Sequence, residues 1–246
     1  MSFLSFSALF TLSAFAETDV PSHLLTLTDA ALVTHAWTTQ PGITRAGTPR
    51  FTDPTLYNPA LTPVILERLS SGGENDYVRL ALVELLPRTG GEWDGALVEL
   101  YTTEPSADVR SVMVEVTRRA DPEDARALLR QATADSSALV RAAVMRTIPY
   151  VDDGAGMSSP LLAGLTDESP EVRSFAARSA GWTGLDDAWD ELVVLLSDVE
   201  PDIRLHALRA LERLDAEAAA GLDALDTLEI DIDPRVSRAA RQIRAR

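Results

Sequence analysis

Cysteine is absent from this 246-residue chain, and so is lysine: all 22 basic residues are arginine. Without cysteine there is no disulfide, no thiolate nucleophile, no thiolate metal ligand and no lipid-modified N-terminal Cys. Redox chemistry therefore says nothing about compartment. Positive charge is scarce as well, with 38 acidic residues against 22 arginines and a formal net charge of -16. That balance argues against nucleic acid, whose phosphates demand a positive footprint. It keeps the chain soluble and self-repelling. A lysine-free, aspartate-rich composition fits a GC-rich genome or a salty habitat. Histidine is limited to His23, His35 and His206. The chain has no G-x-S-x-G, P-loop, G-x-G-x-x-G or H-E-x-x-H motif.

Long apolar runs are also missing, with one exception. Residues 1–16, MSFLSFSALFTLSAFA, are uncharged. They end in Ala14-Phe15-Ala16, the small-x-small form preferred by signal peptidase, just before Glu17. The run is shorter than the ~20 residues that span a bilayer. It reads as a cleaved signal peptide, although no basic residue precedes it. The expected location is periplasmic or secreted; a buried N-terminal helix of a cytoplasmic protein is the alternative. Residues 17–59 follow as a short helix and a Pro-rich loop carrying Pro41, Pro49, Pro54 and Pro59.

What is present is repetition. An acidic residue, four further residues and a (Val/Ile)-Arg pair recur: Glu104…Val109-Arg110, Asp135…Val140-Arg141, Asp167…Val172-Arg173 and Asp198…Ile203-Arg204. Weaker copies lie at Val78-Arg79 and at Asp231…Val236, where Ser237 holds the Arg slot. Successive slots are 31, 31, 32, 31 and 33 residues apart. A fixed period of this size means stacked supersecondary units. Each unit reads as a helical hairpin. The first helix has a 3.6-residue apolar period, as in Ala125/Leu128/Leu129/Ala132. The second carries apolar residues at offsets 0, 3, 4 and 7 from the Val/Ile. Pro122, Pro170, Pro201 and Pro234 fall at turns or first helical turns, where the missing N–H costs little. No segment reads as a strand.

The phrase acidic–(x)4–(Val/Ile)-Arg–x–x–Ala, in four good copies and two degraded ones, resembles the HEAT-repeat family in its short bacterial form. The resemblance covers residues 60–246. It implies an all-α, right-handed α-solenoid of about six hairpins, with the second helices lining a concave face. The repeats, an apolar row on the second helices and the absence of any catalytic constellation add the expectation of a non-catalytic protein-protein interaction scaffold that holds a protein or peptide partner on its concave face. An accessory subunit or lyase-like enzyme acting on a modified protein is the alternative. No cofactor or metal is expected.

The residues themselves give two further expectations. Arg79, Arg110, Arg141, Arg173 and Arg204 sit in the first turn of each second helix, where the macrodipole disfavours a cation unless a carboxylate compensates. Glu104, Asp135, Asp167 and Asp198 supply such carboxylates. Pairing Arg110 with Glu104 or Asp135, and so on along the stack, gives a structural ladder. Offsets 5 and 6 are expected to point away from the core. The first row reads Val83, Val114, Met145, Ala177, Leu208; the second reads Glu84, Glu115, Arg146, Arg178, Arg209. An apolar strip beside a charge row that switches sign suits an amphipathic partner segment. Half-burial between neighbouring second helices is the other reading of the strip. The first makes Val83, Val114, Met145 and Leu208, with Arg146, Arg178 and Arg209, the candidate partner-binding residues.

Enzyme constellations are thin. His206 falls at offset 3, where packing is expected. HEAT enzymes that bind metal rely on His-Glu pairs, and no His here precedes a Glu. Asp152-Asp153-Gly154 and Asp186-Asp187 read as turns, lacking the alternating ligands of a calcium loop. Trp93 and Trp189 are expected in packing. Trp182, placed in the Gly181-Trp182-Thr183-Gly184 turn, is expected to be exposed.

Overall fold

The computed structural model describes residues 58–151 and 156–246. The expected signal peptide, the loop up to residue 57, His23, His35 and Asp152-Asp153-Gly154 lie outside the described residues. Those residues hold thirteen α-helices and two short 3-10 turns, Thr117–Arg119 and Asp186–Ala188, and no strand. The helices are α1 (Leu61–Ser71), α2 (Asp76–Thr89), α3 (Asp94–Tyr101), α4 (Ala107–Val116), α5 (Pro122–Ala132), α6 (Ala138–Val151) and α7 (Ser158–Leu165). They continue with α8 (Pro170–Thr183), α9 (Trp189–Leu195), α10 (Pro201–Leu214), α11 (Ala216–Ala220), α12 (Leu225–Leu228) and α13 (Pro234–Arg244). Each second helix (α2, α4, α6, α8, α10, α13) packs on the next, and the first helices lie behind them. Consecutive hairpins stacked in this way make an α-solenoid.

Local chemistry sets the helix ends. Pro122, Pro170, Pro201 and Pro234 each open their helix at a position that needs no N–H donor. Asn75 caps α2 by accepting from the Val78 amide at 3.0 Å. Gly184 ends α8 at φ 66°, a left-handed conformation disfavoured for residues with a Cβ. Gly181, three residues earlier, does different work. It lies inside α8, where a Cβ would come 2.6 Å from Ala210 Cα on α10. Gly181 is thus a close-approach site, and Trp182 belongs to the last helical turn instead of an open turn.

The acidic residue and the Arg of each phrase form a continuous ladder. Asp135 Oδ1 accepts from the Ser137 amide at 2.8 Å, and Asp167 Oδ1 does the same for Ser169. Asp198 and Asp231 repeat the contact with the amides of Glu200 and Asp233. Each carboxylate thereby shapes the turn before its own second helix. The arginine of that helix donates to the carbonyls of the same turn: Arg141 Nη1 reaches Asp135 O at 3.0 Å. Its remaining fork crosses to the next repeat. Arg110 binds Asp135 at 2.7 and 2.9 Å, Arg141 binds Asp167 at 2.7 and 2.9 Å, Arg173 binds Asp198 at 2.9 and 3.3 Å, and Arg204 binds Asp231 at 2.8 Å twice. The partner is therefore the acid of the following unit. Bidentate pairing of this kind fixes orientation as well as charge.

The first rung is weaker. Arg79 reaches Glu104 through Nη2 alone, at 3.1 Å, and its buried Nε has no partner among the described residues. The second rung has an addition: the Tyr101 hydroxyl donates to Asp135 Oδ2 at 2.5 Å.

The offset-5 row does not point outward. Val83, Val114, Ala177 and Leu208 are fully buried, and Met145 is 1% exposed. The reason is the stacking itself. That side of each second helix faces the next repeat: a Cβ on Gly164 of α7 would lie 2.5 Å from Met145 Sδ. The row is the seam between hairpins and offers no apolar groove. In α13 the equivalent residue is Arg241, which is exposed and donates to Glu229 O at 2.7 Å. That helix thus presents a polar face where the seam would continue.

Candidate functional site

Offsets 0, 4 and 7 are buried in every second helix, and offset 5 in all but α13. Offset 3 is buried in α2, α4, α6 and α13 but half-buried in α8 and α10, so the open face lies at offsets 6 and 10, joined in α8 and α10 by offset 3. Offsets 3, 6 and 10 fall within about 60° of one another around the helix. In α6, α8 and α10 this face carries Arg146 and Tyr150, then Phe175, Arg178 and Trp182, then His206, Arg209 and Arg213. Of the proposed partner-binding set, the structure removes the apolar members and leaves Arg146, Arg178 and Arg209 on this face, joined by aromatic rings.

The side chains are woven across repeats. Arg146 donates to Glu115 of the preceding second helix at 2.6 Å. Phe175 lies between two guanidiniums, with Arg146 at 5.1 Å and Arg178 at 4.9 Å from its ring centre. Arg118 stands over Tyr150 at 5.1 Å and Arg213 over Trp182 at 5.7 Å. These are cation–π distances, and the contact gains strength as it is desolvated. Arg209 reaches back and forward, to Glu212 at 2.8 Å and to Gln242 of α13 at 3.0 Å.

Toward the C-terminal end the face opens into a cleft of about 430 Å³, lined by Arg178, Trp182, His206, Arg209, Glu212, Arg213 and Arg246. Trp182 is 55% exposed there. Four guanidiniums meet a single carboxylate, Glu212, which Arg209 and Arg246 share at 2.8 and 3.0 Å. His206 Nδ1 lies 2.8 Å from Ser174 Oγ. Burial, and then the charge of Arg178, push the His206 pKa below its usual 6.5, so the imidazole is neutral at pH 7. Asp202, on the same helix as His206, engages Arg235 at 2.8 Å. Among the described residues no group of three or more His, Asp or Glu side chains is arranged to hold a metal ion.

Sequence patterning pointed to the charge row at offset 6 and to Trp182, but not to their convergence. Trp182 and Arg213 sit ten residues beyond the repeated Val/Ile, outside the phrase that made the repeats visible. The signal available was the 31-residue spacing between them, the same as the repeat itself.

The fold and its ladder define a helical-repeat scaffold. Residues 158–243 match the family model described as HEAT repeats. That stretch carries HEAT repeats, and the arginine–carboxylate ladder continues at the same spacing back to α2. A solved X-ray structure of YibA from E. coli is similar in fold, with a TM-score of 0.54 and 17% identity, over 92% of this chain and 95% of that one. At that identity the likeness speaks for the fold alone. The comparison with curated proteins gives no match. No helix among the described residues is long and apolar enough to cross a membrane.

Proposed function

We propose that this chain is a non-catalytic scaffold that holds a protein partner on the exposed face of its second helices. The observation that carries the reading is the cleft beside Trp182, where a large aromatic side chain stays 55% exposed among guanidiniums. Exposed Trp and Arg together are the side chains that most often anchor a protein interface. The polar chemistry nearby fits binding better than turnover. Ser174 and His206 are within hydrogen-bond reach, but Asp202 engages Arg235 instead of orienting the imidazole. In line with the leader-like residues 1–16, the scaffold works in the periplasm or outside the cell.

Site-specific photocrosslinking in cells tests the face. A crosslinker at Trp182 is expected to capture a discrete protein partner, whereas one at Val194, 72% exposed on the first-helix side, is not. Equal capture from both positions, or none from Trp182, overturns the assignment.

A further inference from the structure

The charge of the cleft identifies the chemistry of its occupant. Arg209 and Arg246 share the carboxylate of Glu212. Arg178 and Arg213 are not: each rests on an aromatic ring, and among the described residues neither has a carboxylate partner. This occurs in a protein of net charge -16, where acidic side chains are plentiful. The five ladder arginines each have a carboxylate; these two, on the wall of one cleft, do not. A guanidinium stacked on a ring keeps its in-plane donors free for a planar, bidentate acceptor. The neighbouring Trp182 offers an apolar surface at the same place. His206, neutral and tied to Ser174, adds no competing negative charge.

We infer that the cleft formed by α8, α10 and Arg246 binds a short acidic segment of a protein, with carboxylates on Arg178 and Arg213 and a large apolar or aromatic side chain against Trp182. The inference rests on the scaffold reading above and adds the partner's chemistry. A volume of about 430 Å³ accommodates two or three side chains, not an extended polymer. Nucleic acid offers anions too, but the net charge of -16 works against holding a long polyanion. A carboxylate-bearing peptide makes the same bidentate contacts without a continuous polyanion.

Fluorescence anisotropy with the full chain tests this. The probe is a fluorescein-labelled peptide, Gly-Glu-Asp-Phe-Glu-Asp-Gly; controls are its Gln/Asn counterpart, its Phe-to-Gly counterpart and a thymidine heptamer. The acidic peptide is expected to bind saturably, to weaken as salt rises, and to weaken about tenfold or more in the Arg178→Ala/Arg213→Ala protein. The Gln/Asn peptide is expected to lose about as much, which reads the same contacts without altering the protein. Equal binding of the acidic and neutral peptides, no saturable binding, or tighter binding of the oligonucleotide overturns the inference. Crosslinking from Trp182 to a partner while the acidic peptide fails to bind would reject the acidic class and leave the scaffold reading standing.

Discussion

Arginine lives two lives in this molecule, on the same second helices. At offset 1 it is largely covered within the ladder, its fork on the next repeat's carboxylate and its third nitrogen on its own turn. At offsets 6 and 10 it lies on the open face, stacked on Phe175 or Trp182 or sharing Glu212 with another arginine. The ladder side chains are 10–17% exposed and leave almost no donor unsatisfied. The open-face group keeps donors in reserve. The difference teaches that residue type says little about role, whereas saturation says much. An arginine whose every donor is taken holds the stack together. Under the proposed reading, Arg178 and Arg213, which rest on rings and have no carboxylate among the described residues, hold their donors for a partner.

The largest separation of the two groups comes from titrating all rungs at once. Burial alone pushes the Asp135 carboxyl up, but Arg110, the Tyr101 hydroxyl and the Ser137 amide bring it below 3.8. Asp167 and Asp198 show the same balance against Arg141 and Arg173. For Asp231 the Arg204 contact is the leading cause of the lowering. A carboxyl whose folded pKa is depressed contributes stability that is fully present above its unfolded value and lost as pH falls through the folded one. Urea midpoints are therefore expected to drop steeply below about pH 4. The open face gives a smaller signal in a different pH range. His206 is depressed too, but its charged form is the protonated one, so the unfolded chain takes its proton first. A shallow loss is expected as pH falls below about 6.5, and His206→Gln is expected to remove it. A midpoint that stays flat down to pH 3 would mean that the ladder contributes little to holding the stack.

Next in size is the removal of one partner from one rung. Asp167→Ala leaves the Arg141 guanidinium with only the largely exposed Glu168 as counter-charge, at 3.3 Å. It also strips the Ser169 amide of its acceptor. A cost of about 3 kcal/mol is expected, read from urea unfolding at pH 7. Arg141→Lys is expected to recover little, since one ammonium cannot reproduce a fork that meets two carboxylate oxygens and two turn carbonyls. If the lysine variant is as stable as the wild type, the rungs act as simple charge pairs and the bidentate account fails.

The two regions also differ in how plainly the sequence announces them. The ladder was visible because both its members belong to the repeated phrase at fixed spacing. Which acid each arginine takes was open, because Glu104 and Asp135 both lie within reach of a guanidinium at offset 1 and only the stacking geometry selects the following one. The apolar residues at offset 5 allow two readings from sequence for a general reason. A second helix is covered on three sides, by its own first helix and by both neighbours. Burial that wide erases the simple amphipathic stripe from which an outward face is inferred. Val83 and Val114 look like residues of a groove in one repeat and are a seam once two repeats are stacked. The aromatic weave was hidden because its contacts join positions about 31 residues apart that carry different residue types in each copy, as with Glu115–Arg146 and Trp182–Arg213.

The smallest expected effect carries the sharpest test of the contrast. Arg209 touches Glu212 and Gln242, yet its side chain is 44% exposed, and Glu212 keeps Arg246 when Arg209 is removed. An exposed pair of this kind trades Coulomb energy against the entropy of two long side chains and is screened by salt. Arg209→Ala is therefore expected to change stability by no more than about 0.5 kcal/mol, in the same urea experiment that reads Asp167→Ala. The sixfold or larger gap between the two variants is the quantitative content of the comparison. Were Arg209→Ala to cost as much as breaking a rung, the open face would be structural as well. The arginines around Trp182 would then have to be read as a second ladder whose stabilising contacts happen to face solvent.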